Sequence, residues 1–341
     1  MSTVTMRDVA HRAGVSKTTV SHVLNETRFV EEETAQRVRQ AIQALGYRPN
    51  LLARSLRRQE TKTIALITPD NANVYWADLA HVIEGAGFAA GYTVLLCNSA
   101  WSVERERKYV ETLIERQIDG IILAIRSPQS EALKDIIGAN LPVVALNSLT
   151  RPPEVSTVRV DDFRGGYLAG EYLARLGHRC VGCIGTRQEF YAQTRVDGFQ
   201  KAMVDARIDP TTIVIAEGDF GYASGEASVY TLLQQQPNLT AIFAANDSMA
   251  LGVYKGLHRL KRRIPEDISV VGYDDITYAT AISPELTTIA QPITSLGKTA
   301  FTLLLKQIET PQNTPCEVIL EPTLVERESC RRIDTNQNVN P

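Results

Sequence analysis

The sequence predicts an N-terminal all-α helix-turn-helix head followed by an α/β body of two doubly wound parallel sheets, and three observations carry that reading. The chain has 341 residues, more than one core usually serves, so two or three domains are expected. Its charge is divided: residues 1–60 hold ten Lys or Arg against six Asp or Glu, a net of +4, while the remainder holds 26 against 33, a net of −7. Near residue 63 the apolar pattern changes from helical spacing to short β-rich runs separated by helical stretches. A basic head on an acidic body implies that only the head meets a polyanion.

Composition narrows the class. With 44% hydrophobic and 22% charged residues the chain can bury a core, which argues against disorder or a fibrous protein. The longest aliphatic run, Ile121 to Ile125, is far short of the roughly 18 residues of a membrane span, so no membrane partner is expected. Arg7, Asp8 and Arg12 stand where an export signal needs an apolar stretch, so the expected compartment is the cytoplasm. The five cysteines are too scattered for a disulfide framework. Cys180 and Cys183 form a C-x-x-C on an apparent strand, where residues three apart face opposite ways. No metal site and no cofactor are expected.

In the head, Thr5 and Asp8 have the spacing of a capping box, and Val9, Ala10 and Ala13 follow on one helical face. Gly14 and Val15 break that helix. Ser16 then caps a second one with Val20, Val23 and Leu24 inward and Lys17, Thr18, Ser21, His22 and Asn25 outward. These outward donors and acceptors suit base edges in a major groove. A third helix, 32–45, buries Val38, Ala41, Ile42 and Leu45 and stops at Gly46. From residue 50 a short basic helix is expected, with Arg54, Arg57 and Arg58 around Leu56.

The stretch MRDVAHRAGVSKTTVSHVLN, with RFVEEETAQRV, AIQALGYRPN and ARSLR after it, resembles the lac repressor and galactose repressor family, closest to its purine repressor branch. The resemblance covers nearly the whole chain. It implies that Lys17, Thr18 and His22 read the major groove. Ser16, Thr19, Ser21 and Arg28 then take phosphate contacts that set register without reading sequence. It makes 50–62 a hinge in which Leu56 wedges into the minor groove, the other reading being that Leu56 packs on the body. The full DNA-facing set is Thr5, Ser16, Lys17, Thr18, Thr19, Ser21, His22, Asn25, Arg28, Arg54, Leu56 and Arg57.

In the body, nine strands are expected: 63–68, 92–97, 120–125, 142–146, 158–160, 181–184, 213–216, 241–244 and 268–273. Helices fill most gaps, which is the βαβ order of parallel sheets with ligands at the strand C-termini. The resemblance implies a periplasmic-binding-protein-like clamp crossed three times by the chain, near Asp161, Gln291 and Glu321. The expected division is a head at 1–49, a hinge and linker at 50–62, and a first lobe at 63–160 with 291–321. A second lobe at 161–290 with 322–330 and a polar tail at 331–341 complete it.

The strand ends bring polar and aromatic residues to one cleft: Tyr75 and Trp76 on an exposed loop, Asn147, Asp161, Tyr191, Arg195, Phe220, Asn246 and Asp274. Arg195, Asn246 and Asp274 suit paired hydroxyl groups, and Trp76 or Phe220 supplies a ring face. Tyr75 and Phe220 read equally as core aromatics, and Asp247 as a helix cap. Residues 189–193 lack the arginine and threonine with which the purine branch holds its base, so a sugar or nucleoside effector is expected, a purine base being the alternative.

No G-x-x-x-x-G-K-[ST], G-x-G-x-x-G or nucleophile elbow occurs, and His81, His178 and His258 lack acidic neighbours at catalytic spacing, so catalysis is not expected. An exported sugar carrier would share the body but not the head. Together these features describe an effector-responsive repressor binding palindromic operator DNA as a homodimer, since two-fold DNA calls for a two-fold protein.

Overall fold

The computed structural model describes residues 4–25, 28–47, 60–124, 130–147, 154–186, 190–310 and 314–333, and for 190–192 the backbone alone. Two compact units divide at Thr61 and Lys62.

The first unit is three helices: α1 (Met6–Ala13), α2 (Lys17–Asn25) and α3 (Glu32–Leu45). The Asp8 carboxylate accepts the Thr5 N–H at 2.8 Å and the Thr5 hydroxyl at 2.7 Å, which closes the start of α1. At its end Gly14 adopts φ +66°, a left-handed conformation that glycine takes without Cβ strain, and Val15 N–H returns to the Ala10 carbonyl at 3.0 Å. Ser16 Oγ then accepts the Thr19 N–H at 3.0 Å and starts α2. Val9, Ala10, Ala13, Val20, Val38 and Ala41 are buried together, with Val23, Leu24, Ile42 and Leu45 packed against them.

The second unit holds two six-stranded sheets. The first contains β1 (Thr63–Thr68), β2 (Thr93–Asn98), β3 (Gly120–Ala124), β4 (Val143–Leu146), β5 (Ser156–Val160) and β11 (Glu317–Leu320), in the order β11-β5-β4-β3-β1-β2, all parallel. The second contains β6 (Val181–Gly185), β7 (Ile213–Glu217), β8 (Ala241–Ala244), β9 (Ser269–Asp274), β10 (Thr287–Ala290) and β12 (Thr323–Val325), in the order β12-β10-β9-β8-β6-β7. Its edge strand β12 runs antiparallel to β10.

Helices α4 (Val74–Ala89), α5 (Val103–Glu115), α6 (Glu131–Gly138) and α11 (Ile293–Glu309) cover the first sheet. The second is covered by α7 (Asp162–Arg175), α8 (Phe190–Asp205), α9 (Tyr222–Gln235) and α10 (Asp247–Arg259). Because both faces are covered, alternate residues of one strand enter different cores: Ile64 and Leu66 join α4 and α11, while Ala65 and Ile67 join α5 and α6. The chain passes between the sheets after β5, after β10 and after β11. Strands β10, β11 and β12 were not among the nine expected from sequence. They are three or four residues long; β10 and β12 carry Thr287, Thr288 and Thr323, and β11 holds only the short run Val318, Ile319 and Leu320 after Glu317.

Candidate DNA interface and effector cleft

On α2, Lys17 and Thr18 are exposed at the N-terminal end, while Val20 on the opposite face is fully buried. Thr5, Ser16 and Arg28 are exposed as well, and Thr19, Ser21, His22 and Asn25 are half-buried. Three side chains of the expected DNA-facing set are partly used within the helix. Ser16 Oγ and Thr19 Oγ1 lie 2.9 Å apart at the cap, and Asn25 Nδ2 donates to the Ser21 carbonyl at 2.7 Å. Asn25 therefore also serves the end of its own helix. Arg54, Leu56 and Arg57 lie outside the described residues.

The body brings its polar residues together at the C-terminal ends of the second sheet. Helices α7 and α8 pack through glycines: a Cβ on Gly166 would run into the Arg195 carbonyl, and one on Gly198 into the Phe163 carbonyl. That close approach sets Arg195 beside Asp162, with Nε donating to Asp162 Oδ1 at 2.7 Å. Arg195 Nη1 donates to the Ala245 carbonyl at 2.7 Å and reaches Asp274 Oδ1 at 3.4 Å, while the guanidinium lies 3.7 Å from the Tyr273 ring centre. Tyr273 OH donates to Asp162 Oδ1 at 3.0 Å. Burial works against the Arg195 charge, but Asp162, Tyr273 and Asp274 more than offset it and keep the guanidinium protonated. Asp274 is pushed up to about 6, because burial outweighs the attraction of Arg195, whose closer carboxylate partner is Asp162.

The first sheet contributes the opposite wall. Asn147, in the left-handed region at φ +54°, donates from Nδ2 to Tyr75 OH at 3.4 Å. Its Oδ1 is buried and accepts no hydrogen bond. Tyr75 OH donates to Gln291 Oε1 at 3.1 Å, and Gln291 Nε2 donates to Asp274 Oδ1 at 2.7 Å. Trp101, just past β2, stacks on Phe220, just past β7, with ring centroids 6.0 Å apart and planes within 8°. A continuous polar chain and an aromatic pair thus join the two lobes.

Several sequence expectations are corrected here. Tyr75 and Trp76 are not exposed on a loop: Asn73 caps α4 by accepting the Tyr75 N–H at 3.0 Å, and both rings are buried, edge to face, in the first lobe's core. Asn246 caps α10, accepting the Met249 N–H at 2.9 Å and donating to the Phe220 carbonyl at 3.0 Å. Asp247, read as the alternative cap, is instead buried one residue further on, accepting Thr288 Oγ1 at 2.6 Å and Ile276 N–H at 2.9 Å. Asp161 caps α7 through the Arg164 N–H at 2.9 Å, and it is the next residue, Asp162, that meets Arg195. Arg195 sits on α8 and not on a strand-end loop. Tyr191 lies on the same helix, its side chain outside the description. Phe220 is buried and faces Trp101. Asp162, Tyr273, Gln291 and Trp101 were missed. Gln291 was marked as a chain crossing, and Asp162 needed only a shift of one position along a capped helix start.

Comparisons with known proteins agree with this architecture. A model of bacterial regulatory proteins of the lacI family matches residues 5–50, and one of a periplasmic binding protein-like domain matches 170–330. The HTH-type transcriptional repressor PurR of Pectobacterium carotovorum is 38% identical over 330 residues, 95% of this chain and 96% of that protein. A lac repressor dimer bound to operator and the anti-inducer ONPF is 29% identical with a TM-score of 0.88, over 97% of this chain and all of that one. A LacI family regulator from Enterococcus faecium with bound ribose is 32% identical with a TM-score of 0.74, over 80% of this chain and all of that one. The chain belongs to the lacI family of bacterial regulatory proteins.

Proposed function

We propose that this protein is a homodimeric repressor that binds a palindromic operator in the cytoplasm and answers to a small polyhydroxylated effector, a sugar or nucleoside. Residues 1–49 read DNA: Lys17, Thr18 and His22 address base edges, and Thr5, Ser16, Thr19, Ser21 and Arg28 address the backbone. Residues 50–62 form the hinge, with Arg54 and Arg57 on phosphates and Leu56 in the minor groove. The first lobe is 63–160 with 291–321, the second 161–290 with 322–330.

The observation that carries the effector reading is the buried cluster at the strand ends. Arg195 and Asp274 can exchange their mutual contact for paired bonds to vicinal hydroxyls, and Asn147 Oδ1 is an acceptor awaiting a donor. Trp101 and Phe220 offer ring faces beside it. Relatives support the same use: the Enterococcus regulator holds ribose, and the operator-bound lac repressor is a dimer. One observation favours a second reading, a purine base acting as corepressor: repressors named PurR share 37–39% of their residues with this chain.

A thermal-shift panel on the full chain separates the two. A pentose, hexose or nucleoside should raise the melting temperature by mass action. A shift by hypoxanthine or guanine, with none by sugars and nucleosides, would overturn the polyol reading in favour of the base.

A further inference from the structure

We propose that Gln291 is the positioning residue that couples the Asp274 end of the cleft to the approach of the two lobes. The proposal rests on the effector cleft described above and concerns how that site is sensed across it.

Gln291 stands where the chain leaves β10 for α11, passing from the second sheet to the first. Its side chain is buried and both ends of the amide are engaged. The order of bonds fixes its orientation. A carboxylate accepts only, so Asp274 must receive the NH2 end, and the Tyr75 hydroxyl then donates to the oxygen. A flipped amide would set Oε1 against the carboxylate and leave the phenol facing a donor.

The two partners belong to different lobes. Tyr75 is carried by α4 and also receives Asn147 Nδ2, whereas Asp274 ends β9 and is held by Arg195. A ligand hydroxyl that donates to Asp274 competes with Gln291 Nε2 for the same Oδ1. Any change in that bond reaches Tyr75 in the other lobe through one rigid amide, which makes occupancy and lobe approach a single linked event. The titratable groups around the amide are Asp274, with Arg195 from α8, Asp162 from α7 and the buried Asp247 of α10 behind it. Tyr75 and Tyr273 are the neighbouring phenols.

Trp101 meets Phe220 across the same cleft and reports on it. The chain has two tryptophans, so Trp76→Phe leaves Trp101 as the fluorophore. Acrylamide quenching of the full chain in that background, without ligand, reads the separation of the lobes. Gln291→Leu removes both bonds at similar bulk and should move the open-to-closed ratio by about tenfold toward open, raising the quenching constant.

Gln291→Glu sets two carboxylates face to face and should behave like Gln291→Leu at pH 8. At pH 5, where Asp274 is itself largely protonated, the neutral carboxyl of the variant can donate to a carboxyl oxygen of Asp274 and accept from Tyr75, as the amide does, so quenching should return to that of the parent measured at the same pH. Packing alone gives no such rescue by acid. Should Gln291→Leu fail to fold, the two pH values of Gln291→Glu still decide. Parent-like quenching of Gln291→Glu at both pH values would overturn the proposal. Melting shifts of the parent with D-ribose, inosine and hypoxanthine test the cleft reading separately, since an inert panel would undercut the effector site without touching the ligand-free quenching result.

Discussion

The exposed face of α2 and the buried cluster around Asp274 are both polar, yet their side chains answer to different neighbours. On the head, hydrogen bonds run between residues three or four apart: Thr5 with Asp8, Ser16 with Thr19, Ser21 with Asn25. In the cleft, Arg195 bonds to groups 33, 50 and 79 residues away, and Tyr75 to one 216 away. The head keeps Lys17 and Thr18 in water, where attraction to a polyanion is long-ranged and salt-sensitive. The cleft has already removed its charges from water and compensated them internally, so a ligand there exchanges one buried partner for another. On the proposed reading, DNA adds contacts at the head, and a ligand exchanges contacts at the cleft.

The comparison breaks most visibly at Arg195. Arg195→Leu strands Asp162 and Asp274 in a buried site and should cost the body about 3–5 kcal/mol in urea unfolding followed by circular dichroism. Lys17→Ala, which uncovers no buried partner, should leave the same curve in place. A smaller effect is expected at Asp274 itself. Asp274→Asn keeps the shape but weakens the grip on a hydroxyl donor, and should lower affinity for whichever of D-ribose or inosine raises the melting temperature by about 1–3 kcal/mol in calorimetry.

Proton linkage sharpens the contrast further. The folded pKa of Asp274, about 6, lies above its ordinary 3.8, so the proton it takes up favours the fold fully below about pH 4, and that contribution is lost as pH rises through 6. The stability of the parent relative to Asp274→Asn should therefore fall from pH 4 to pH 7, read from paired denaturant midpoints. A flat difference would mean the carboxyl is well hydrated. The smallest effect is local. Ser16→Ala removes the α2 cap and should destabilise the head by about 1 kcal/mol, seen as earlier loss of helical signal, with the body transition unmoved.

What was legible in the sequence follows the same division. The head's three helices, their caps and Gly14 could be read directly because each signal lies within one turn of the structure it creates. In the body, nine strands announced themselves as apolar runs. Strands β10 and β12 did not, since Thr287, Thr288 and Thr323 interrupt them, and β11, with only Val318, Ile319 and Leu320, is a short edge strand with exposed positions. The meeting of Arg195 with Asp274 near the strand ends was legible. Asn246 and Asp161 also carry a local role, because the same oxygen that could take a ligand's hydroxyl caps a helix, and at a strand-to-helix turn the cap has the nearer partner. Gln291 gave no local signal at all, because its two partners come from opposite ends of the body.

The central claim is that DNA reading and effector binding occupy separate surfaces, on α2 and around Asp274. It is tested most directly by titrating Thr18→Ala and Asp274→Asn with two labelled duplexes in fluorescence anisotropy: an operator selected by the parent from a random pool, and an unselected duplex of equal length. Thr18→Ala should lose about 1–3 kcal/mol of preference for the operator while holding its effector affinity, and Asp274→Asn should do the reverse. Equal loss of Thr18→Ala on both duplexes, or loss of operator preference by ligand-free Asp274→Asn, would contradict it.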